Sequence, residues 1–420
     1  MMQLTTDFRA EYLPGIVARF DSWIDRAEWM RVVKNVRKEI KGNSFLESYL
    51  AELHRTPLAL EKIKNIISRF GHGAIHAHMS GAEYETIVLM VQFVDVVQRL
   101  DNKKARSLAG RMNGALRNPA DMRALQFELQ VATHLVKRDF EVEFPETDGK
   151  GIFDILATRG GRTAPLEFEC KFITADKGRY VSQREALEIN SLLEKALKKY
   201  IGGLRVGLVL RVIFKDRPPK NIVDRLELCS HVKEVIVLGA DYQCADYSIR
   251  LSQLDLKNSI FSSGEFSEED LTLFLKGHGI VNKQVMVLGV KGKGVVVISL
   301  ESEKPNKFLS RVFETISDAA KRQLTGTHPG CICVKFDDLN ESQLVEIGLE
   351  RDTPTALRAA ASRFLSSSAS SNVAVLAFYA DGELTTLQGG GITRGGRTYH
   401  FPRDLRMFEN NDALKRAFQD

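Results

Sequence analysis

Two short segments of the chain place charges where strands ordinarily carry core. Ile152-Phe153-Asp154-Ile155-Leu156 is followed by Pro165-Leu166-Glu167-Phe168-Glu169-Cys170-Lys171-Phe172. Side chains alternate between the faces of an extended strand. Glu167, Glu169 and Lys171 therefore share one face, and Leu166, Phe168, Cys170 and Phe172 the other. Charges inside a sheet are costly unless they are paired or bind a cation. Asp154, flanked by Phe153 and Ile155, comes beside Glu169 on the same face if the two segments pair as a hairpin about Gly160-Gly161. Two hard oxygen ligands with positions left for water describe a Mg²⁺ or Mn²⁺ site. A neighbouring lysine can orient or deprotonate an attacking water and offset charge on a pentavalent phosphate, as metal-assisted phosphodiester hydrolysis requires. Upstream, Leu125, Leu129, Ala132 and Val136 form the apolar stripe of a helix, and Glu128 lies beside it, within reach of the site over the end of the sheet.

Glu128, then Asp154, then Glu169-Cys170-Lys171, set in the order helix, strand, strand, strand, helix, strand, resembles the PD-(D/E)XK (restriction-endonuclease-like) nuclease superfamily. The intervals, 26 from Glu128 to Asp154 and 15 from Asp154 to Glu169, are similar to those of Mrr-type restriction nucleases and archaeal Holliday-junction resolvases. The resemblance covers about 95 residues, Ala120 to Phe214, and Phe153 stands where the motif's name has proline. It implies that Asp154 and Glu169 bind Mg²⁺ or Mn²⁺, that Glu128 supplements the metal shell and that Lys171 assists the nucleophile. It also implies that Gln183 and Arg184, at the start of the next helix, touch the site or the phosphate. A role in restriction, defence or repair follows from the same likeness.

Other readings stay open at this level. Glu167, Glu169 and Lys171 could be the solvated face of an edge strand, ion-paired across to Asp154. A nuclease-like fold without activity, binding nucleic acid or partner proteins, would look the same, and RNA is not separable from DNA.

Between positions 195 and 220, Lys195, Lys198, Lys199, Arg205, Arg211, Lys215, Arg217 and Lys220 face one acid, Asp216, a local charge of +7. Such a stretch suits phosphate neutralisation without sequence reading, with double-stranded DNA the first expectation, or it is a solvated helix face. A second basic run, Arg99, Lys103, Lys104, Arg106, Arg111, Arg117 and Arg123, leads into the candidate core and is either a DNA-facing linker or an exposed helix. The Gly389-Gly390-Gly391 run with Arg394 and Arg397 reads as a basic loop. His72, His76 and His78 have weak zinc-like spacing, Cys331 and Cys333 read as small buried residues on one strand face, and Gly289–Gly294 lacks the ending of a phosphate loop.

The elements that must position these residues follow from periodicity. Residues 1–118 show apolar positions three and four apart and read as an α-helical domain. Residues 119–262 read as the nuclease-like α/β core, with a helix over Ala124–Lys137, strands Phe140–Phe144, Ile152–Ala157 and Leu166–Ile173, a helix over Ser182–Tyr200 and a strand Val206–Phe214. Residues 263–420 read as a C-terminal α/β domain whose Val295–Phe336 echoes Leu166–Phe214, a possible degenerate repeat, and which ends in a hairpin about Asp381-Gly382. The fold class expected is α/β: a central mixed sheet flanked by helices, between a helical and an α/β domain.

At 420 residues, 44% hydrophobic and 27% charged, the chain is neither a disordered nor a fibrous composition. Its net charge of +5 permits nucleic acid without requiring it. Five scattered cysteines and no apolar leader in the first ten residues read as a reduced cytoplasmic protein. The most apolar stretch, Ile87–Val97, is broken by Gln92 and Asp95, so no membrane span is expected. A homodimer or a protein partner is left open.

Overall fold

A computed structural model describes residues 2–3, 6–8, 10–71, 81–148, 151–160, 164–174, 176–261, 267–280, 284–290, 293–340, 356–386 and 392–419. The readings on His72, His76, His78 and Gly389–Gly391 fall outside these residues.

Two short strands, β1 (Met2–Gln3) and β2 (Thr6–Phe8), precede a run of helices: α1 (Leu13–Trp23), α2 (Arg26–Gly42), α3 (Glu47–Leu53), α4 (Arg55–Phe70), α5 (Gly81–Arg99), α6 (Asn102–Ala115) and α7 (Pro119–Lys137). Their apolar stripes are buried, as the spacing requires: Trp29, Val33 and Val36 on α2, and Leu60, Ile63 and Ile66 on α4. Asp101 caps α6 by accepting from the N–H groups of Lys103 and Lys104. Asn118 caps α7 ahead of Pro119, whose missing N–H costs nothing in the first turn. The chain then forms β3 (Glu141–Glu143), α8 (Pro145–Asp148), β4 (Ile155–Thr158), β5 (Leu166–Ile173), α9 (Gln183–Ile201), β6 (Gly207–Phe214), α10 (Ile222–Leu238), β7 (Tyr242–Gln243), β8 (Tyr247–Leu254) and α11 (Glu268–Gly277). It ends with β9 (Val285–Gly289), β10 (Val295–Ser302), α12 (Phe308–Arg322), β11 (Gly330–Asn340), α13 (Ala356–Leu365), β12 (Val373–Thr386), β13 (Ile392–Pro402), α14 (Leu405–Asn410) and α15 (Asp412–Phe418).

The protein is mixed α/β with two mixed sheets, in two compact units. The first unit comprises Met1–Arg37, Ala51–Lys177 and Leu309–Asp420. Its sheet runs β1-β13-β12-β11-β5-β4-β3, with β2 pairing β13. Antiparallel β3, β4 and β5 give way to parallel β5, β11 and β12. Helix α7 contributes Phe127, edge-on to Tyr379 of β12, with ring centroids 5.2 Å apart. Phe313 of α12 lies 6.5 Å from Phe378, the next residue of β12 and therefore on the other face. The sheet thus carries helices on both faces, the arrangement that lets parallel strands be apolar throughout.

The second unit comprises Lys38–Leu50 and Gly178–Phe308, around the sheet β7-β8-β6-β10-β9. Ile189, Leu193 and Leu197 of α9 and Leu228, Val232 and Val235 of α10 pack with Leu208, Leu210 and Val212 of β6 and Val296, Ile298 and Leu300 of β10.

Four expectations change here. Strand β6 does not neighbour β5: β5 takes β11 as its parallel partner, and β6 takes β10. The helix and strand that complete the order helix, strand, strand, strand, helix, strand in the sheet of β5 are α12 and β11. Val-, Ile- and Leu-rich runs identify parallel strands without naming their neighbours, so the first such run after β5 pairs in the other sheet. The boundaries 1–118, 119–262 and 263–420 are accordingly not those of the two units. The echo between Leu166–Phe214 and Val295–Phe336 also has a topological reading: the first passage leaves the sheet of β5 for that of β6, and the second returns from β10 to β11. Finally, Asp381-Gly382 is no hairpin turn. It falls at a register shift inside the long strand β12, which pairs with β13 on either side of it.

Among the described residues no helix is long and apolar enough to cross a membrane. All five cysteines are free thiols.

Candidate active site

Strand β5 lies between β4 and β11 and is not an edge, which removes the solvated-edge reading of its charges. Leu166 through Cys170 are all buried. Glu167 and Glu169 alternate with Leu166, Phe168 and Cys170 as the strand period demands, and the two carboxylates meet different fates. Glu167 is taken up structurally: its Oε2 accepts from the Thr325 N–H at 2.8 Å and its Oε1 from the Thr325 hydroxyl. Glu169 is completely buried, and neither oxygen accepts a hydrogen bond of ordinary geometry. Its Oε1 lies 2.5 Å from Nζ of Lys171, two residues on along the same face, an ion pair with poor hydrogen-bond direction.

The β4–β5 register pairs Ile155 with Phe168, Leu156 with Glu167 and Ala157 with Leu166. One step further places Asp154, in the bend before β4, beside Glu169. Asp154 is held there by its Oδ2, which accepts from the Cys170 N–H at 2.7 Å. This is the juxtaposition that a hairpin between the two segments predicts.

Glu128 of α7 is also buried, and it is engaged: Arg111 Nη2 donates to Oε2 at 2.8 Å and to Oε1 at 3.1 Å. Arg111 comes from α6 and lies 3.8 Å from Glu146 as well. Sequence reading counted Arg111 in a basic run; no spacing rule connects it to a glutamate on the next helix. Arg123 of the same run is likewise drawn inside, pairing with Asp337 and donating to the Glu52 carbonyl at 3.1 Å. Lys335 of β11 was not singled out at all. Its Nζ donates to Asp381 Oδ1 at 2.7 Å and to Gln130 Oε1 at 3.2 Å.

The electrostatics follow from crowding three carboxyls in the interior. Burial, then the charge of Asp154, pushes Glu169 up to about 8, with Lys171 opposing. Burial and Asp154 likewise push Glu128 up to about 8 against Arg111. Asp154 is raised by burial, opposed by its hydrogen bond from Cys170. Burial pulls Lys171 down, but the charge and contact of Glu169 together with the charge of Asp154 outweigh it and hold the ammonium above its ordinary value. Three ionised carboxyls against Lys171 and Arg111 leave one negative charge in excess, which a proton or a cation must offset.

Among the described residues no three His, Cys, Asp or Glu side chains form a metal-holding group. A Mg²⁺-type ion asks for less, since it commonly uses one or two carboxylates and keeps several waters. The Glu169 carboxylate beside Asp154, with an ion pair to Lys171 on one oxygen and no hydrogen bond of ordinary geometry on either, fits such an ion. Glu128, with both oxygens on Arg111, does not fit the ligand role expected of it.

The six residues expected to bind nucleic acid belong to the other unit. Gln183 opens α9 after a capping box formed by Ser182 and Glu185, and Arg184 is ion-paired with Glu39 at 2.6 Å and Glu188 at 3.0 Å. Lys195, Lys198 and Lys199 ride the last turns of α9, and Arg205 precedes β6. The +7 stretch is not one surface. Arg211 sits within β6, bidentate to Glu301 at 2.8 and 2.7 Å, and Lys215, Arg217 and Lys220 lie past its far end. Eight strand residues put about 26 Å between the two ends. Comparison with known protein families, with curated proteins and with solved structures returns no match to the chain.

Proposed function

We propose that the chain is a divalent-metal-dependent nuclease, acting first on double-stranded DNA, with Asp154 and Glu169 as the metal ligands and Lys171 as the adjacent cation. The observation that carries this reading is Glu169: a completely buried carboxylate without hydrogen-bond partners, paired with a lysine and set beside a second buried carboxylate pinned to the same strand. The order α7, β3, β4, β5, α12, β11 supports the PD-(D/E)XK resemblance, with residues 178–308 inserted before the second helix. A bound divalent ion would supply positive charge to the phosphate and an acidified water as nucleophile. Lys171, held protonated by Glu169, is suited to orient that water and to offset charge on the phosphate rather than to remove a proton. Arg111 positions Glu128 at the site's edge and opposes the burial that pushes its carboxyl up to about 8.

Incubation of the purified chain with plasmid and linear DNA in Mg²⁺ or Mn²⁺ tests the reading. Cleavage is expected, and it is lost with EDTA and in Asp154→Ala and Lys171→Ala. Activity persisting in both variants refutes it. The Arg111–Glu128 pair, which removes one carboxylate from the metal shell, favours a second reading: an idle nuclease fold that binds nucleic acid. That reading predicts binding that survives both substitutions and no cleavage with any divalent ion.

A further inference from the structure

Within the second unit, three stretches far apart in sequence converge at the carboxyl ends of the parallel strands β6 and β10. The loop after β6 carries Lys215, Arg217 and Lys220; the segment after β10 carries Lys304 and Lys307; Tyr180 lies just ahead of α9. All five cations are exposed. The same stretches carry two acids, Asp216 and Glu303, of which Asp216 pairs with Lys304 at 3.0 Å, and Asp224 and Asp246 lie on the neighbouring segments.

The loops that bear these charges are pinned. The Glu303 N–H donates to Phe214 O at 2.8 Å, the Ser302 hydroxyl to Asp216 O at 2.7 Å, and the Lys307 N–H to Gly178 O at 3.1 Å. Pro218 and Pro219 fix φ in the first loop. Arg225 Nε holds the Pro219 carbonyl at 2.8 Å, and the Lys215 N–H donates to Asp246 O at 2.9 Å. Two of the cations are further positioned by one ring: Arg217 lies 5.7 Å and Lys304 5.6 Å from the Tyr180 centroid. A guanidinium laid on an aromatic face keeps its N–H edge outward, the geometry for bidentate phosphate binding.

We propose that this edge, formed by Lys215, Arg217, Lys220, Lys304 and Lys307 around Tyr180, binds the phosphate backbone of nucleic acid. Pinned loops that gather five exposed cations at one sheet end match a polyanion with many phosphates better than a single small anion. The identity of the polyanion rests on the nuclease reading. An anionic membrane is the competing partner, because Ile222 and Val223, exposed at the start of α10, follow Lys220 directly.

Fluorescence anisotropy with a labelled 30-base-pair duplex, in EDTA so that nothing is cut, tests the edge on the full chain. The triple variant Lys215→Gln/Arg217→Gln/Lys304→Gln should weaken binding at least about tenfold at 0.1 M salt and lower the slope of log K against log salt by about 2.7, at about 0.9 per phosphate contact. Because Lys304 and Arg217 touch Tyr180, the double variant Lys220→Gln/Lys307→Gln, at side chains with no hydrogen bond, ion pair or ring contact among the described residues, gives a second measurement. It should lower the slope by about 1.8. Unchanged affinity and slope in both variants overturn the proposal. So does binding to phosphatidylserine vesicles that exceeds duplex binding at the same salt and is lost in the triple variant. Binding through this edge without cleavage would sink the nuclease reading alone; cleavage with unchanged duplex affinity in both variants would sink the edge alone.

Discussion

Glu169→Gln separates a buried charge from a merely buried shape. In the folded chain Glu169 titrates at about 8, against an ordinary 4.5, because burial and Asp154 penalise its ionised form. Between these values the folded state keeps a proton that the unfolded state has released. Stability is therefore fully present below pH 4.5 and is lost as the pH rises through 8, at about 1.4 kcal/mol per pH unit. Over the whole window that is about 5 kcal/mol, a large share of the 5–15 kcal/mol typical of a folded protein. Between pH 5 and pH 8.5 about 4 kcal/mol of it is lost, and with 1 kcal/mol shifting the midpoint by about 2–4 °C the metal-free chain should melt roughly 8–15 °C lower at pH 8.5 than at pH 5 on account of this group. Glutamine keeps the shape and cannot ionise, so the variant's profile should be flatter and the variant should be the more stable protein at pH 8.5. Thermal melts in EDTA at constant ionic strength measure this. Adding Mg²⁺ at about 100 times its dissociation constant should return about 2.7 kcal/mol to the native chain at pH 8.5 and much less to the variant. Parallel pH profiles for the two proteins would refute the reasoning, since Glu169 would then be no site of stored negative charge.

Arg111→Met leaves Glu128 buried without its partner. Arg111 holds that carboxyl down against burial, so its loss pushes Glu128 further above 8 and leaves it protonated; the variant's deficit should be larger at pH 8.5 than at pH 5 by only about 0.7 kcal/mol, half a pH unit at about 1.4 kcal/mol each, as read by urea denaturation at the two values. Burial pushes the thiols of Cys170 and Cys331 far up and Cys229 up to about 12, and Cys333 is buried with them, whereas Cys244 is half-exposed. A thiol-reactive chromogen should accordingly titrate one fast cysteine in the native chain and five in denaturant; two or more fast thiols would contradict the burial.

The fold was legible where the signal is local. Strand β5 begins and ends at the residues its alternation marks, Leu166 and Ile173. The helical spacing of the first hundred residues is realised from α1 to α6, and Asn118-Pro119 starts α7 as a cap should. What was not legible is partnership. Gly207–Phe214 and Gly330–Phe336 are equally good buried parallel strands by composition, and nothing in either says that β11 is the neighbour of β5. An insertion of 131 residues with its own sheet is invisible to any rule of proximity, because each of its elements resembles a legitimate continuation of the fold that precedes it. Asp381-Gly382 misled for a related reason: the dipeptide reports a backbone irregularity, and a bulge in a long strand satisfies it as well as a turn does.

The site divides along the same line. Asp154, Glu169 and Lys171 were legible together because strand alternation and a hairpin register are short-range geometry, and the structure brings all three to one place. The balance of charge around them was not, since Arg111 reaches Glu128 from another helix, and it alters what each residue can do. With Arg111 taking both oxygens of Glu128, the carboxylates left for a cation are two. With Glu169 holding Lys171 protonated, the lysine is a fixed positive charge rather than a base. On the proposed nuclease reading, two carboxylates and a fixed cation would leave the rest of a metal shell and the proton acceptor to water or to the phosphate. Lys171 is the partly exposed member of the pair and Glu169 the completely buried one, so on the proposed nuclease reading a phosphate would meet the lysine first.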